Sequence, residues 1–165
     1  LNEAMKAHAD EIVREGRFQV IWQTGKYYER EMDEFMRGRD ARGIWRGAFI
    51  ERMDLAYAAA DIVVARSGAG TVSELCLVGK AVVFVPSPNV AEDHQTKNAM
   101  ALADRGAALV VPDREAVARV FSEAGRLLAD DAMRSEMEKN IRALAVADSA
   151  DRVADEILKV VKRSE

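Results

Sequence analysis

Apolar positions recur along this chain in two alternating patterns, one at helical spacing and one as short unbroken runs. Residues 4–13 carry apolar side chains at helical spacing. The run Phe18-Gln19-Val20-Ile21-Trp22 reads as a strand that ends at Gln23-Thr24-Gly25. Tyr28, Met32, Phe35 and Met36 mark a second helix, 44–49 a short strand, and 53–60 a helix made mostly of alanine, the best helix former. Residues 61–65 form the next strand and 71–78 the next helix. The stretch 81–85 is apolar throughout, as expected of a strand covered on both faces. A loop at 86–89, a helix at 92–103 and a last strand at 107–111 follow. Val117, Val120, Phe121, Ala124 and Leu127 then form a helical stripe. Two more helices complete the chain, the last with Val153, Ile157 and Val161 on its apolar side.

Strands that alternate with helices imply parallel βαβ units, an α/β fold with a doubly wound, Rossmann-like parallel sheet. Such sheets bind ligands at the carboxyl ends of their strands, near the switch point. Here those loops are 23–26, 49–52, 66–71 and 86–94. No internal repeat or interior linker interrupts the pattern, so 1–165 is expected to be one domain. A doubly wound domain normally opens on a central strand, whereas this chain opens on a helix. The expectation is that its natural first strand precedes residue 1 and is missing here.

Composition narrows the partners. The chain has 165 residues, 49% of them hydrophobic, enough to bury a real core. Its net charge of −4 argues against a nucleic-acid surface. The single Cys76 excludes an internal disulfide, and its place on the apolar side of a helix predicts burial rather than reactivity. No apolar run is long enough for a membrane span, and His8, Asp10 and Glu11 stand where a signal peptide needs an apolar core. His8 itself is expected on the surface. His8 and His94 are far apart in sequence, and no spacing of His, Cys and carboxylates matches a metal-ligand set, so neither metal nor cofactor is expected.

The stretch Arg66-Ser67-Gly68-Ala69-Gly70-Thr71-Val72-Ser73-Glu74 holds the clearest chemistry. It reads strand, glycine turn, helix. A helix start of small residues leaves backbone N–H groups free at the positive end of the helix dipole, a place suited to a phosphate or diphosphate. The same residues also fit a capped helix, with Thr71 and Glu74 as a capping box. A nicotinamide site is rejected: Ser73 stands at the third glycine position, and the next strand runs into Phe84-Val85-Pro86 without a ribose-holding acid. Gly79-Lys80 lies between helix and strand, the wrong order for a P-loop, and reads as a helix cap followed by a solvated charge. The cluster Glu92-Asp93-His94-Gln95-Thr96-Lys97-Asn98 opens a helix at another ligand-facing loop. Glu92 and Asp93 fit an acidic first turn, but His94 with Gln95 suggests groups that recognise hydroxyls.

Taken together, Arg66 to Glu74, Val85-Pro86-Ser87-Pro88 and Glu92-Asp93-His94-Gln95-Thr96-Lys97-Asn98-Ala99 resemble the MurG glycosyltransferases. The likeness covers essentially the whole chain, including Trp22-Gln23-Thr24-Gly25-Lys26 and Phe49-Ile50 before Met53. That family transfers N-acetylglucosamine from UDP-N-acetylglucosamine to undecaprenyl-diphospho-muramoyl-pentapeptide, turning lipid I into lipid II in peptidoglycan synthesis. It has two Rossmann-like domains in the GT-B arrangement, and this chain resembles the second, donor-binding one. The resemblance implies that the Ile50 backbone reads uracil and that Ala69, Gly70 and Thr71 hold the diphosphate. It implies that Glu74 accepts hydrogen bonds from the ribose, and that Gln95 holds the sugar with His94 beside it. It also implies an acceptor site, a catalytic base and a peripheral membrane surface in the first domain, at the cytoplasmic face of the inner membrane. A second glycine motif of the family should precede residue 1. This chain alone is therefore expected to be inactive in transfer. The alternative is a free-standing or non-catalytic nucleotide-sugar-binding subunit that works with a separate partner chain.

Overall fold

The computed structural model describes residues 1–88 and 93–162. Its elements are α1 (Asn2–Glu15), β1 (Val20–Gln23), α2 (Glu29–Met36), β2 (Ile44–Gly47), α3 (Met53–Ala59), β3 (Ile62–Ala65) and α4 (Ala69–Val78). They continue with β4 (Ala81–Phe84), α5 (His94–Ala103), β5 (Leu109–Val110), α6 (Ala116–Ala129), α7 (Asp131–Arg142) and α8 (Ser149–Lys162). The alternation read from the apolar pattern is present in full. The predicted start of α5 at Glu92 lies outside the described residues.

All strand pairings are parallel. The strands form two hydrogen-bonded sets, β1 with β2 and β3-β4-β5, instead of one continuous sheet. Helix α1 joins the sets. Ala4 packs with Val83, Val85, Val111 and Leu127 around β4 and α6. Met5, Ala9 and Ile12, on the next rows of the same helix, pack with Trp22, Met32 and Ile44 around β1 and β2. A third cluster holds Leu75 and Cys76 of α4 against Val82, Phe84, Ala99 and Leu102. Each residue of β4 is buried, which explains its unbroken apolar run.

Two local expectations change. His8 is half-buried, not a plain surface residue: Nδ1 lies 3.0 Å from Glu11 Oε2 and Nε2 lies 2.8 Å from the Val117 carbonyl, which ties α1 to α6. Lys80 does not simply extend into solvent. Its Nζ donates to the Ala60 carbonyl at 2.6 Å, satisfying an orphan acceptor at the end of α3. Gly79 does close α4, in the left-handed conformation (φ 70°) that glycine adopts without strain. Helix α8 stays apart from the core, and Val153, Ile157, Leu158 and Val161 are exposed.

Candidate functional site

Because the pairing within each set is parallel, the loops after β1 and β2 share one end of the first set, and those after β3 and β4 share one end of the second. The turn after β3 is the centre of the site. Gly68 is the N-cap of α4 (φ −63°, ψ 149°), and Val72 N donates to the Gly68 carbonyl at 3.0 Å. The helix therefore starts two residues before Thr71. No side chain caps it, so the Thr71–Glu74 capping box is not formed. The backbone N–H groups of Ala69, Gly70 and Thr71 are the ones a helix leaves without intrahelical partners. Ala69 and Gly70 are exposed and Thr71 is half-buried.

A Cβ placed on Gly68 or Gly70 would meet nothing within 4 Å, and neither glycine has a positive φ. Neither the backbone conformation nor internal packing requires glycine there. What the missing side chains leave is open space directly in front of the helix start, where an anion can approach the N–H groups closely.

Glu74, exposed on the next turn of α4, accepts a hydrogen bond from Tyr57 Oη of α3 at 3.2 Å. Burial, then the charge of Glu74 and this hydrogen bond, push the Tyr57 phenol above its usual pKa. Ile50 lies in the loop after β2. Its N–H donates to Gln23 Oε1 at 2.9 Å, which leaves its carbonyl as the backbone group to offer a base.

The start of α5 faces the same end. Asp93, its N-cap, has a left-handed backbone (φ 54°) and makes no side-chain cap. His94 is exposed and Gln95 half-buried. Asp93 stands at the N-cap, beside the positive end of the helix dipole and not inside the first turn, and Glu92 lies outside the described residues. Gln95 Oε1 accepts from Ser87 N at 2.9 Å, so its amide nitrogen keeps both protons for other partners. Arg66 fastens the rim of this end. Its Nη1 donates to the carbonyls of Val85 (3.0 Å) and Pro86 (3.2 Å) and to Asp113 Oδ1 (2.5 Å).

Cys76 is buried as expected, and burial pushes its thiol above the usual range. No group of three or more His, Cys, Asp or Glu is placed to hold a metal ion among the described residues. Among the same residues, no helix is long and apolar enough to cross a membrane.

Residues 1–153 match the family model of the glycosyltransferase family 28 C-terminal domain. The chain belongs to that family. Among curated relatives it is 48% identical over 145 residues to a Parabacteroides distasonis protein, covering 88% of this chain and 39% of that protein. It is 45% identical over 163 residues to a Bacteroides thetaiotaomicron protein, covering 98% of this chain and 44% of that one. Both relatives are named UDP-N-acetylglucosamine–N-acetylmuramyl-(pentapeptide) pyrophosphoryl-undecaprenol N-acetylglucosamine transferase. The chain thus spans less than half the length of these relatives. A crystal structure of Acinetobacter baumannii MurG superposes with a TM-score of 0.76 at 29% identity, over 95% of this chain and 46% of that one.

In this family 28 domain each sequence-derived candidate, Ile50, Ala69, Gly70, Thr71, Glu74, His94 and Gln95, lies in a segment that follows the carboxyl end of a strand. Ser67, Ser87 and Asn98 stand in the quoted motifs, but sequence reasoning gave them no role of their own, and it missed Tyr57; their hydrogen bonds reach Glu74, Gln95 and the glycine turn. The signal for Tyr57 was a side chain with a polar tip in a helix otherwise rich in alanine.

Proposed function

We propose that this chain is the donor-binding domain of an inverting N-acetylglucosaminyltransferase that converts lipid I to lipid II, with residues 1–165 holding UDP-N-acetylglucosamine. The observation that carries this reading is the open helix start at Gly68–Thr71 in a family 28 domain. The N–H groups of Ala69, Gly70 and Thr71, with the Thr71 hydroxyl, donate to the diphosphate. As the bond from sugar to diphosphate breaks, negative charge grows on the leaving oxygen, and donors fixed beforehand stabilise it without reorganising. The helix dipole adds to this.

Glu74 accepts from the ribose hydroxyls, the Ile50 carbonyl accepts from the uracil N–H, and Gln95 donates to sugar hydroxyls with His94 beside it. The acceptor, the general base and a peripheral attachment to the cytoplasmic face of the inner membrane belong to a further domain of the enzyme. The chain's own part is to bind and orient the donor, with backbone donors doing what a divalent cation does in other nucleotide-sugar sites.

Calorimetry with UDP-N-acetylglucosamine and with UDP, each with and without a chelator, tests this. Binding of both ligands in both conditions is expected. Binding lost on chelation overturns the metal-free part, and preference for an adenine nucleotide overturns the reading of the site.

A further inference from the structure

Ser67 is fully buried at 0% exposure, although it lies in the turn that leads into the exposed start of α4. Both its polar groups reach α5. Ser67 Oγ donates to the Gln95 carbonyl at 2.8 Å, and the Ser67 carbonyl accepts from Asn98 Nδ2 at 3.0 Å. Residues 95 and 98 are one helical turn apart and lie on the same face. Two hydrogen bonds therefore cross from the glycine turn to the start of α5.

A buried serine needs partners wherever it sits. Here both partners belong to a single turn of one helix, and one of them is the backbone of Gln95. On its other side Gln95 is held by the Ser87 N–H, a group that only donates, so Oε1 is the atom it holds. The Gln95 backbone is pinned to the turn and its side-chain oxygen to the loop after β4. Only the two amide protons remain to meet a ligand.

We propose that Ser67 and Asn98 are positioning residues that latch α5 to the glycine turn, so that the Gln95 amide stands at a fixed separation from the diphosphate-facing N–H groups. The proposal rests on the nucleotide-sugar reading given above. The latch then governs what the sugar adds to binding, and leaves the nucleotide part to α4 itself. Neither residue needs to touch the ligand for this.

Ser67→Ala is a mild way to open the latch. The Gln95 carbonyl keeps its place in the helical hydrogen-bond ladder, so loss of the hydroxyl leaves no orphaned acceptor there. The measurement is calorimetry of the wild-type chain, Ser67→Ala, Gln95→Ala and the double variant, each with UDP and with UDP-N-acetylglucosamine. The readout is the ratio of the two dissociation constants, UDP over UDP-N-acetylglucosamine.

In Ser67→Ala the ratio is expected to fall about fivefold while UDP affinity stays within about twofold, the size of one lost hydrogen bond. In the Gln95→Ala background Ser67→Ala is expected to change the ratio no further. A ratio unchanged in Ser67→Ala, equal losses for both ligands, or a further fall in the double variant overturns the latch. A ratio unaffected by Gln95→Ala overturns it too. If the wild-type chain binds UDP but Ser67→Ala leaves the ratio intact, the nucleotide reading stands and only the latch fails. A wild-type chain that binds neither ligand removes the nucleotide reading and the latch together.

Discussion

Tyr57 and Glu74 are joined by a hydrogen bond of 3.2 Å from phenol to carboxylate, so α3 holds the one acid of α4 in place. No side chain, Glu74 included, makes a capping hydrogen bond at the start of α4. Loss of Glu74 should therefore act on binding and hardly on stability. Glu74→Ala is expected to weaken UDP binding more than Glu74→Gln, with a loss of ~1.5–3 kcal/mol for a charged hydrogen bond. Tyr57→Phe, which frees the carboxylate to move, should give a smaller loss. Calorimetry beside a thermal melt checks this. A lowered melting temperature with unchanged affinity would sink the ligand role.

Gly70→Ala separates ligand approach from packing. The added methyl meets no protein atom within 4 Å, and the backbone there is ordinary helix. Alanine should thus stabilise the fold by up to ~1 kcal/mol, since it removes the entropic cost of glycine in a helix. It should weaken UDP binding at the same time, because the methyl fills the space in front of the N–H groups. Higher stability with undiminished UDP affinity would place the diphosphate elsewhere.

His8 predicts a pH dependence of stability. Its two ring nitrogens face a carboxylate and a carbonyl, both of which only accept, so the doubly protonated imidazolium is the form that satisfies both. Burial pushes this imidazole down. The hydrogen bonds to Val117 and Glu11 and the charge of Glu11 outweigh that, and the net pKa lies above the ordinary histidine value. A group with a raised folded pKa stabilises fully below its unfolded pKa, about 6.5. That stabilisation fades as pH rises through the folded value. The melting-temperature gap between wild type and His8→Gln should be widest near pH 5.5 and narrow as pH rises toward 9. A gap that widens toward pH 9 would contradict the imidazolium bridge.

The chain alone should not make lipid II. Transfer needs donor and acceptor held in reactive geometry, and the chain spans 38–44% of the curated transferases it matches. Purified residues 1–165 are expected to bind donor but leave radiolabelled lipid I unconverted. Turnover at the rate of a two-domain enzyme would show that base and acceptor site lie within this chain.

Much of this fold could be read in the sequence because burial and periodicity coincide. The unbroken run 81–85 is buried, and Val120, Ala124 and Leu127 of the predicted stripe lie on the buried face of α6, where Ala116 takes the place of the exposed Val117. The ends of elements were harder. The Thr71 hydroxyl suits a cap, one of the two readings the residues allow, yet glycine is also accepted there, and Gly68 takes the position. The residues that hold the site were not legible at all. Tyr57 reaches across 17 positions to Glu74, Ser67 across 28 to Gln95, and Asn98 across 31 to Ser67. No local pattern encodes such pairs; they exist only once the strands are aligned. The partial burial of His8 is hidden from the sequence for the same reason, since its partner Val117 lies 109 positions away.

The parallel pairing of every strand has a kinetic consequence. A parallel neighbour cannot be reached by a tight hairpin, so each pairing waits for a whole intervening helix to form and fold back. Contacts between residues distant in sequence make the search slow. Until β3 and β5 close on either side of it, the run Val82-Val83-Phe84-Val85 is an apolar strand with both edges bare. Refolding from denaturant should accordingly be a contest between completing the fold and joining another chain, with yields that fall as protein concentration rises.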